Sequence, residues 1–179
     1  MTSSALLTFI QPGHALYEGE LELRFRVLRE PLGHTRADVA FPFEADSLHL
    51  VAHQGGAVLG CVLFNPEDAH GGRLFQMAVA PHLQGQGLGA RLVRALEAEL
   101  ARRGFRQVHL HAREHAIPFY ERLGYELRGT ERGRYSYRTP AGELVQVPID
   151  QWIMRKPLFR PVAWQTGAGF APAIPPPAL

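Results

Sequence analysis

Three glycines at alternate positions, Gly85, Gly87 and Gly89, join an alternating apolar run to an amphipathic one, and no other stretch restricts the fold as much. Before them Phe75, Met77 and Val79 alternate with smaller or polar residues, the two-residue period of a strand, and Pro81 ends it. After them Leu88, Leu92, Leu96 and Leu100 fall four apart, with Arg91, Arg94 and Glu97 off the stripe. This predicts a helix over 88–103 that Gly104 closes, with Arg102 and Arg103 at the end where the helix dipole favours cations. The first amides of such a helix lack internal partners, and missing Cβ atoms let an anion approach them. The stretch therefore predicts a phosphate cradle.

Two familiar phosphate loops fail on spacing. A Walker loop needs Lys followed by Ser or Thr after its last glycine, and Ala90-Arg91 stands there. A dinucleotide loop needs G-x-G-x-x-G, a βαβ start and an acidic residue at a set distance, and the chain supplies none of these. The pattern Gln84-x-x-Gly87-x-Gly89, preceded by Val79-x-Pro81, instead resembles the acetyl-CoA pyrophosphate loop of the GNAT superfamily of N-acetyltransferases. A second segment, Ala116-Ile-Pro-Phe-Tyr-Glu-Arg-Leu-Gly-Tyr125, is similar to that superfamily's A-x-x-F-Y-e-x-x-G-F/Y segment. The two stand in the expected order, with one helix and one strand between them, and the resembling part spans about 47–125.

The remaining elements follow from pattern and punctuation. A short strand over 6–10 is followed by a helix over 15–28, whose apolar phase Gly19 interrupts, and Pro31 and Gly33 stop it. Residues 39–46 read as a loop with Phe41 and Phe43 around Pro42. Strands over 47–53 and 57–65 turn at Gly55-Gly56, and a third runs over 73–80. Beyond the long helix come a strand over 106–111, a short helix over 115–123 with Pro118 tolerated in its first turn, and a last hairpin, 125–138 and 143–156. This β-α-β-β-β-α-β-α-β-β order is what the resemblance implies: an α/β (α+β) fold with a mixed, mostly antiparallel central sheet, a splayed strand pair and flanking helices. Residues 1–158 are expected to form the acetyltransferase domain, and 159–179 a Pro/Gly/Ala-rich tail that cannot build its own core. Trp164 and Phe170 could pin that tail to the domain or to a second subunit, so a homodimer stays open beside a free arm.

Charge narrows the function classes. Lys+Arg 19 against Asp+Glu 17 leaves a formal net charge of +2, too little to argue for nucleic acid. Arg128, Arg132, Arg134 and Arg138 form the one basic stripe, which reads as a solvated hairpin face. Cys61 is alone in an apolar run and reads as a buried structural thiol. No secretory leader and no membrane span is evident, and a cytoplasmic protein is expected. His109, His111 and His115 invite a metal, but supporting ligands are thin and none is expected.

For an acetyltransferase the chemistry is demanding. An alkylammonium with a pKa near 10 has no lone pair at neutral pH. The site must therefore hold the acyl carbonyl, take a proton from the amine and return one to the thiolate. The resemblance implies acetyl-CoA as co-substrate, with main-chain groups of Met77, Ala78 and Val79 on its acyl and pantetheine portion. Its pyrophosphate would lie on the amides of Gln84, Gly85, Gln86, Gly87, Leu88, Gly89 and Ala90. Tyr120 stands where the family's F-Y tyrosine is the general acid.

Two places depart from the family pattern. Arg113 occupies the position of an asparagine that bonds the pantetheine arm, and Arg73 and Gln76 stand where some members carry a glutamate base. His111, on one strand face with Gln107 and His109, is a candidate base; Asp150, Glu44 and solvent are rivals. The acceptor is expected to be a primary amine, either a small polyamine-like or amino-acid metabolite or a protein N-terminus or lysine. The rival reading is a non-catalytic acyl-CoA-binding sensor or structural module.

Overall fold

The computed structural model describes residues 5–159. Trp164 and Phe170, which could pin the tail, lie outside the described residues. The chain forms β1 (Leu6–Ile10), α1 (Tyr17–Arg24), β2 (Leu48–Gln54), β3 (Ala57–Pro66), β4 (Gly71–Val79) and α2 (Leu88–Arg103). It continues with β5 (Gln107–Ala112), α3 (Ile117–Arg122), β6 (Glu126–Arg138) and β7 (Leu144–Pro157). The strands build one seven-stranded sheet in the order β1-β2-β3-β4-β5-β7-β6. Every neighbouring pair is antiparallel except β4 with β5. The expected element order and mixed sheet are thus what the chain adopts.

The two sheet faces are covered by different helices. Leu92, Leu96 and Leu100 of α2 are fully buried against Leu50, Val62, Phe64, Leu74, Val108 and Leu110. Each such leucine contributes roughly 1.5–3 kcal/mol through burial. On the opposite face Leu23 of α1 packs with Ile10, Val51, Cys61 and Ala78. Cys61 is a buried free thiol, as its apolar run predicts, and burial pushes its pKa far up.

The first helix differs from the expected 15–28. It is α-helical only over Tyr17–Arg24, then widens into a π-helical turn at Phe25–Arg29 and tightens into a 3-10 turn at Glu30–Leu32. Gly19 does not break it. A Cβ there would lie 2.9 Å from the Val58 side chain, so the missing side chain lets α1 sit close against β3. The apolar phase is imperfect because Glu20 and Arg24 face inward and are buried.

Candidate functional site

The sheet opens at one place. Strands β4 and β5 pair only over Gly71–Gln107, Gly72–Val108 and Arg73–His109; beyond Arg73 and His109 they separate. A bulge sharpens the bend of β4. Cys61 opposes Ala78 and Leu63 opposes Phe75, so Gln76 and Met77 face Val62 alone, and Gln76 takes the left-handed φ of +49°. The Ala80 amide bonds the Leu59 carbonyl on β3 at 2.9 Å. Strand alternation then turns the main-chain groups of Ala78 toward β3 and those of Val79 toward the gap. Of the main-chain groups expected to meet a ligand, those of Val79 and of Met77 two residues before it face the opening.

A cavity of about 710 Å³ fills the opening, lined by Met77, Arg113 and Tyr120 toward α3 and by Arg29, Phe41, Phe43, Arg73 and His111 toward α1. The structure thus gathers Met77, His111, Arg113 and Tyr120 from four segments into one wall system. Arg113 begins the turn into α3, where its carbonyl accepts from the Ala116 amide at 2.9 Å. Tyr120 is 7% exposed and packs edge-on against Phe119 and Tyr125 at 4.9 and 5.5 Å. Burial raises its phenol to about 12, so the hydroxyl holds its proton throughout the neutral range.

The glycine turn joins the end of β4 to α2. Gly85 and Gly87 adopt φ of +75° and +85°, and nothing stands within 4 Å of a Cβ at either. Arg91 is the first amide bonded back along the helix, to the Gly87 carbonyl at 3.0 Å. The amides of Leu88, Gly89 and Ala90 precede that bond and face outward at the helix N-terminus. Gly89 serves a different purpose from its neighbours. A Cβ on it would lie 2.8 Å from Met77 Cε and 3.4 Å from Phe119, so it allows α2 to close on β4 and α3. Gln84 reaches back with Nε2 to donate to the Val79 carbonyl at 3.0 Å, tying the turn to the end of β4.

On the opposite wall, His111 Nδ1 is 3.0 Å from Gln151 Oε1 and Nε2 is 3.9 Å from Glu131. With Nδ1–H donating to Gln151, as the hydrogen bonding assigns it, the Nε2 lone pair is left to accept a proton. His109 shares this face, and burial lowers its pKa. Its neighbour Glu67 is 3.5 Å away. Among the described residues no three His, Cys, Asp or Glu side chains come together to hold a metal ion.

Glu44, a rival base in the sequence, is locked elsewhere. Its carboxylate accepts from Arg24 at 2.5 Å, Tyr17 at 2.6 Å and the Phe41 amide at 3.0 Å. Burial alone would raise its pKa, but these donors lower it. Behind it Glu20 meets Arg24 at 3.1 Å and His49 at 2.9 Å, while the other His49 nitrogen faces the Glu44 carbonyl at 3.0 Å. Facing a carboxylate and a carbonyl, both ring nitrogens are placed to donate, and the hydrogen bond and charge of Glu20 favour the imidazolium of His49. Two acids and two cations therefore balance, and they staple the 39–46 loop to α1. Asp150, the other rival, lies on the exposed side of β7.

The basic stripe divides. Arg128 pairs with Glu126 at the surface, but Arg134 lines the cavity and Arg138 bonds Asp38. The expected solvated face holds for Arg128, Arg132 and Arg134, which are exposed, and fails at Arg138, where the β6–β7 hairpin meets the loop after α1. His34 Nε2 meets the Ser136 carbonyl there at 2.6 Å. Arg29 and Asp38 carried no sequence signal, and the meeting of Phe41 and Phe43 with Phe75, and of Arg138 with Asp38, was not legible because it joins segments far apart in the chain.

A mixed sheet with one parallel pair that splays beside a glycine-initiated helix defines an acyl-CoA-type acetyltransferase architecture. The chain belongs to the GNAT acetyltransferase family, whose sequence model it matches over residues 15–125. It is 37% identical over 82 residues to an acetyltransferase of Pectobacterium atrosepticum, covering 44% of this chain and 57% of that one. It is 32% identical over 130 residues to the mouse (Mus musculus) N-alpha-acetyltransferase 80, covering 70% of this chain and 40% of that one. The chain thus spans about half the length of these relatives. An aminoglycoside 6′-N-acetyltransferase solved with coenzyme A shares the fold, with a TM-score of 0.67 at 19% identity over 86% of this chain and 97% of that one. No helix among the described residues is long and apolar enough to cross a membrane.

Proposed function

We propose that the chain moves an acetyl group from acetyl-CoA to a primary amine that enters the cleft from the α1 side. The observation that carries this reading is that Met77, which packs against Gly89 of the glycine turn, and Tyr120 of α3 both line the cavity in the β4–β5 gap. The residues fit the co-substrate. The amides of Gly85 and of Gly87 to Ala90 would hold the diphosphate, those of Gln84 and Gln86 already donating to the Pro81 and Leu83 carbonyls; Gly85 and Gly87 leave open space there and the α2 dipole favours negative charge. Main-chain groups of Met77 and Val79, with Arg113 across the gap, would hold the pantetheine arm; Ala78, turned toward β3, would contribute less.

Transfer forms a nitrogen–carbon bond and breaks a carbon–sulfur bond; one proton leaves the nitrogen and one reaches the sulfur. Nε2 of His111 would take the first, directly or through water. For the second, the buried phenol near 12 is a weaker acid than a thiol near 8.5. Full transfer to a free thiolate would be uphill by about 3.5 in pKa, or roughly 5 kcal/mol. Tyr120 is better matched to donating a hydrogen bond to sulfur as charge develops, with the proton completed from solvent.

The test is thiol release from acetyl-CoA across an amine panel, for wild type and Tyr120→Phe. Turnover that falls at least tenfold in the variant, with coenzyme A affinity held, supports the reading. Binding without turnover on any amine would favour the sensor, and no binding at all would remove the cradle.

A further inference from the structure

The acceptor half of the cavity is walled by cations. Arg73 stands at the apex of the wedge, where its pairing with His109 is the last between β4 and β5, and its side chain lies among the cavity residues. Its Nε is buried with no hydrogen-bond partner. Across the opening, Arg29 from the π-helical turn sits 5.8 Å over the Phe41 ring and makes only long contacts, 3.4 Å to the Leu28 carbonyl and 3.5 Å to Gln76. Neither guanidinium has a carboxylate within 4.0 Å among the described residues. Glu67 and Glu131 act on Arg73 only from farther away, and each is about half exposed. Among the described residues the one carboxylate lining the cavity, Asp38, is already taken by Arg138. Burial lowers the pKa of Arg73 and of Arg29, the mark of charges that have lost water without full compensation.

We infer that the acceptor is a primary amine whose carbon skeleton carries a carboxylate, bound between Arg73 and Arg29, an inference that rests on the acetyl-transfer reading above. A guanidinium fork is the group best shaped for a carboxylate, and it is the missing partner of the buried Arg73 Nε. Phe41, Phe43 and Phe75, with ring centroids 5.4 to 6.0 Å apart, supply an apolar wall for the skeleton between the two ends. The same cations act on the amine. Positive charge nearby disfavours the ammonium and favours the neutral, attacking form, which eases the task of whatever group takes the proton. Polyamine acceptors, carrying several positive charges, are the class this wall rejects.

The experiment compares matched acceptors by thiol release: L-phenylalanine with phenethylamine, and a short peptide beginning with Asp with its Asn counterpart. At least tenfold higher kcat/KM for the carboxylate member of either pair, expressed through KM, is expected. Which pair shows it separates a free amino acid from a peptide N-terminus. Arg73→Gln should erase that preference with the KM for acetyl-CoA unchanged, Arg73→Lys should restore part of it, and Arg29→Gln should reduce it. Equal or better use of the decarboxylated amines, or a preference intact in both glutamine variants, would overturn the inference. Calorimetric binding of the same pairs, with and without coenzyme A, reads the preference without turnover. A carboxylate preference there that Arg73→Gln abolishes supports the inference even if acetyl transfer fails, and equal or absent binding of both members overturns it.

Discussion

Asp38 receives the guanidinium of Arg138 on both oxygens' side, Oδ1 from one terminal nitrogen at 3.2 Å and Oδ2 from Nε at 3.3 Å, across 100 residues of chain. This pair clasps the β6–β7 hairpin over the loop that follows α1 and roofs the acceptor half of the cleft. The hydrogen bond from Arg138, with those from Thr35, holds the Asp38 carboxyl far below the usual carboxylate range. A depressed acid stabilises the fold above its unfolded pKa and loses that contribution as pH falls through the folded value.

Asp38→Asn should lower melting only modestly, because the part-exposed ion pair is worth about 1 kcal/mol or less and the Asn oxygen can still accept from Thr35. The acceptor KM should rise several-fold as the roof loosens, with the acetyl-CoA KM constant. Steady-state kinetics in both substrates checks this; equal shifts in the two KM values would count against the roof.

Gly87→Ala and Gly89→Ala should fail in different ways. At position 87 a Cβ meets open space but a φ of +85°, which costs an L-residue roughly 1–2 kcal/mol, and it would crowd an approaching phosphate. Coenzyme A affinity should fall at least tenfold by calorimetry with only a modest loss in Tm. At position 89 the Cβ enters packed side chains 2.8 Å from Met77, so the loss should be chiefly in stability, about 1–3 kcal/mol.

The buried Glu20–His49 pair predicts an alkaline weakness. Burial alone would lower the His49 pKa, but the hydrogen bond and charge of Glu20 raise it above its ordinary value. The stabilisation is complete below about pH 6.5, the unfolded value, and is lost as pH rises through the folded one. Wild-type Tm should therefore decline on the alkaline side of about pH 6.5, as pH rises through the folded value. In His49→Gln that slope should vanish, on top of a loss of stability from removing one of the two cations that face Glu20, Arg24 remaining at 3.1 Å. An unchanged slope in the variant would assign it to another group.

His111→Gln should lower kcat at least tenfold with acetyl-CoA affinity unchanged. Gln151→Ala, which removes the acceptor facing Nδ1 at 3.0 Å, should lower it by a smaller factor. A variant at position 111 with wild-type kcat would move the proton to water.

The cofactor side of this site was legible in the linear chain because it is local. Strand, turn and helix follow one another from Met77 to Arg103, and each is dictated by periodicity and by glycine. The Ile117–Tyr125 segment is equally continuous. The acceptor side was not, since Arg29, Phe41, Arg73, Asp38 and Arg138 lie on five segments. A candidate base such as Glu44 could be discounted only once its buried donors were seen.

From the residues alone came the order of elements, the alternation that puts His109 and His111 on one face, and the glycines that open a helix N-terminus. What the tertiary structure alone decided was the bulge at Gln76, the divergence of β4 from β5 beyond Arg73, and the split of the glycines into two open positions and one packed one. Periodicity is a property of neighbours in the chain. Where two strands part company, and which charges are left without a partner when they do, depends on every other element competing for the same space.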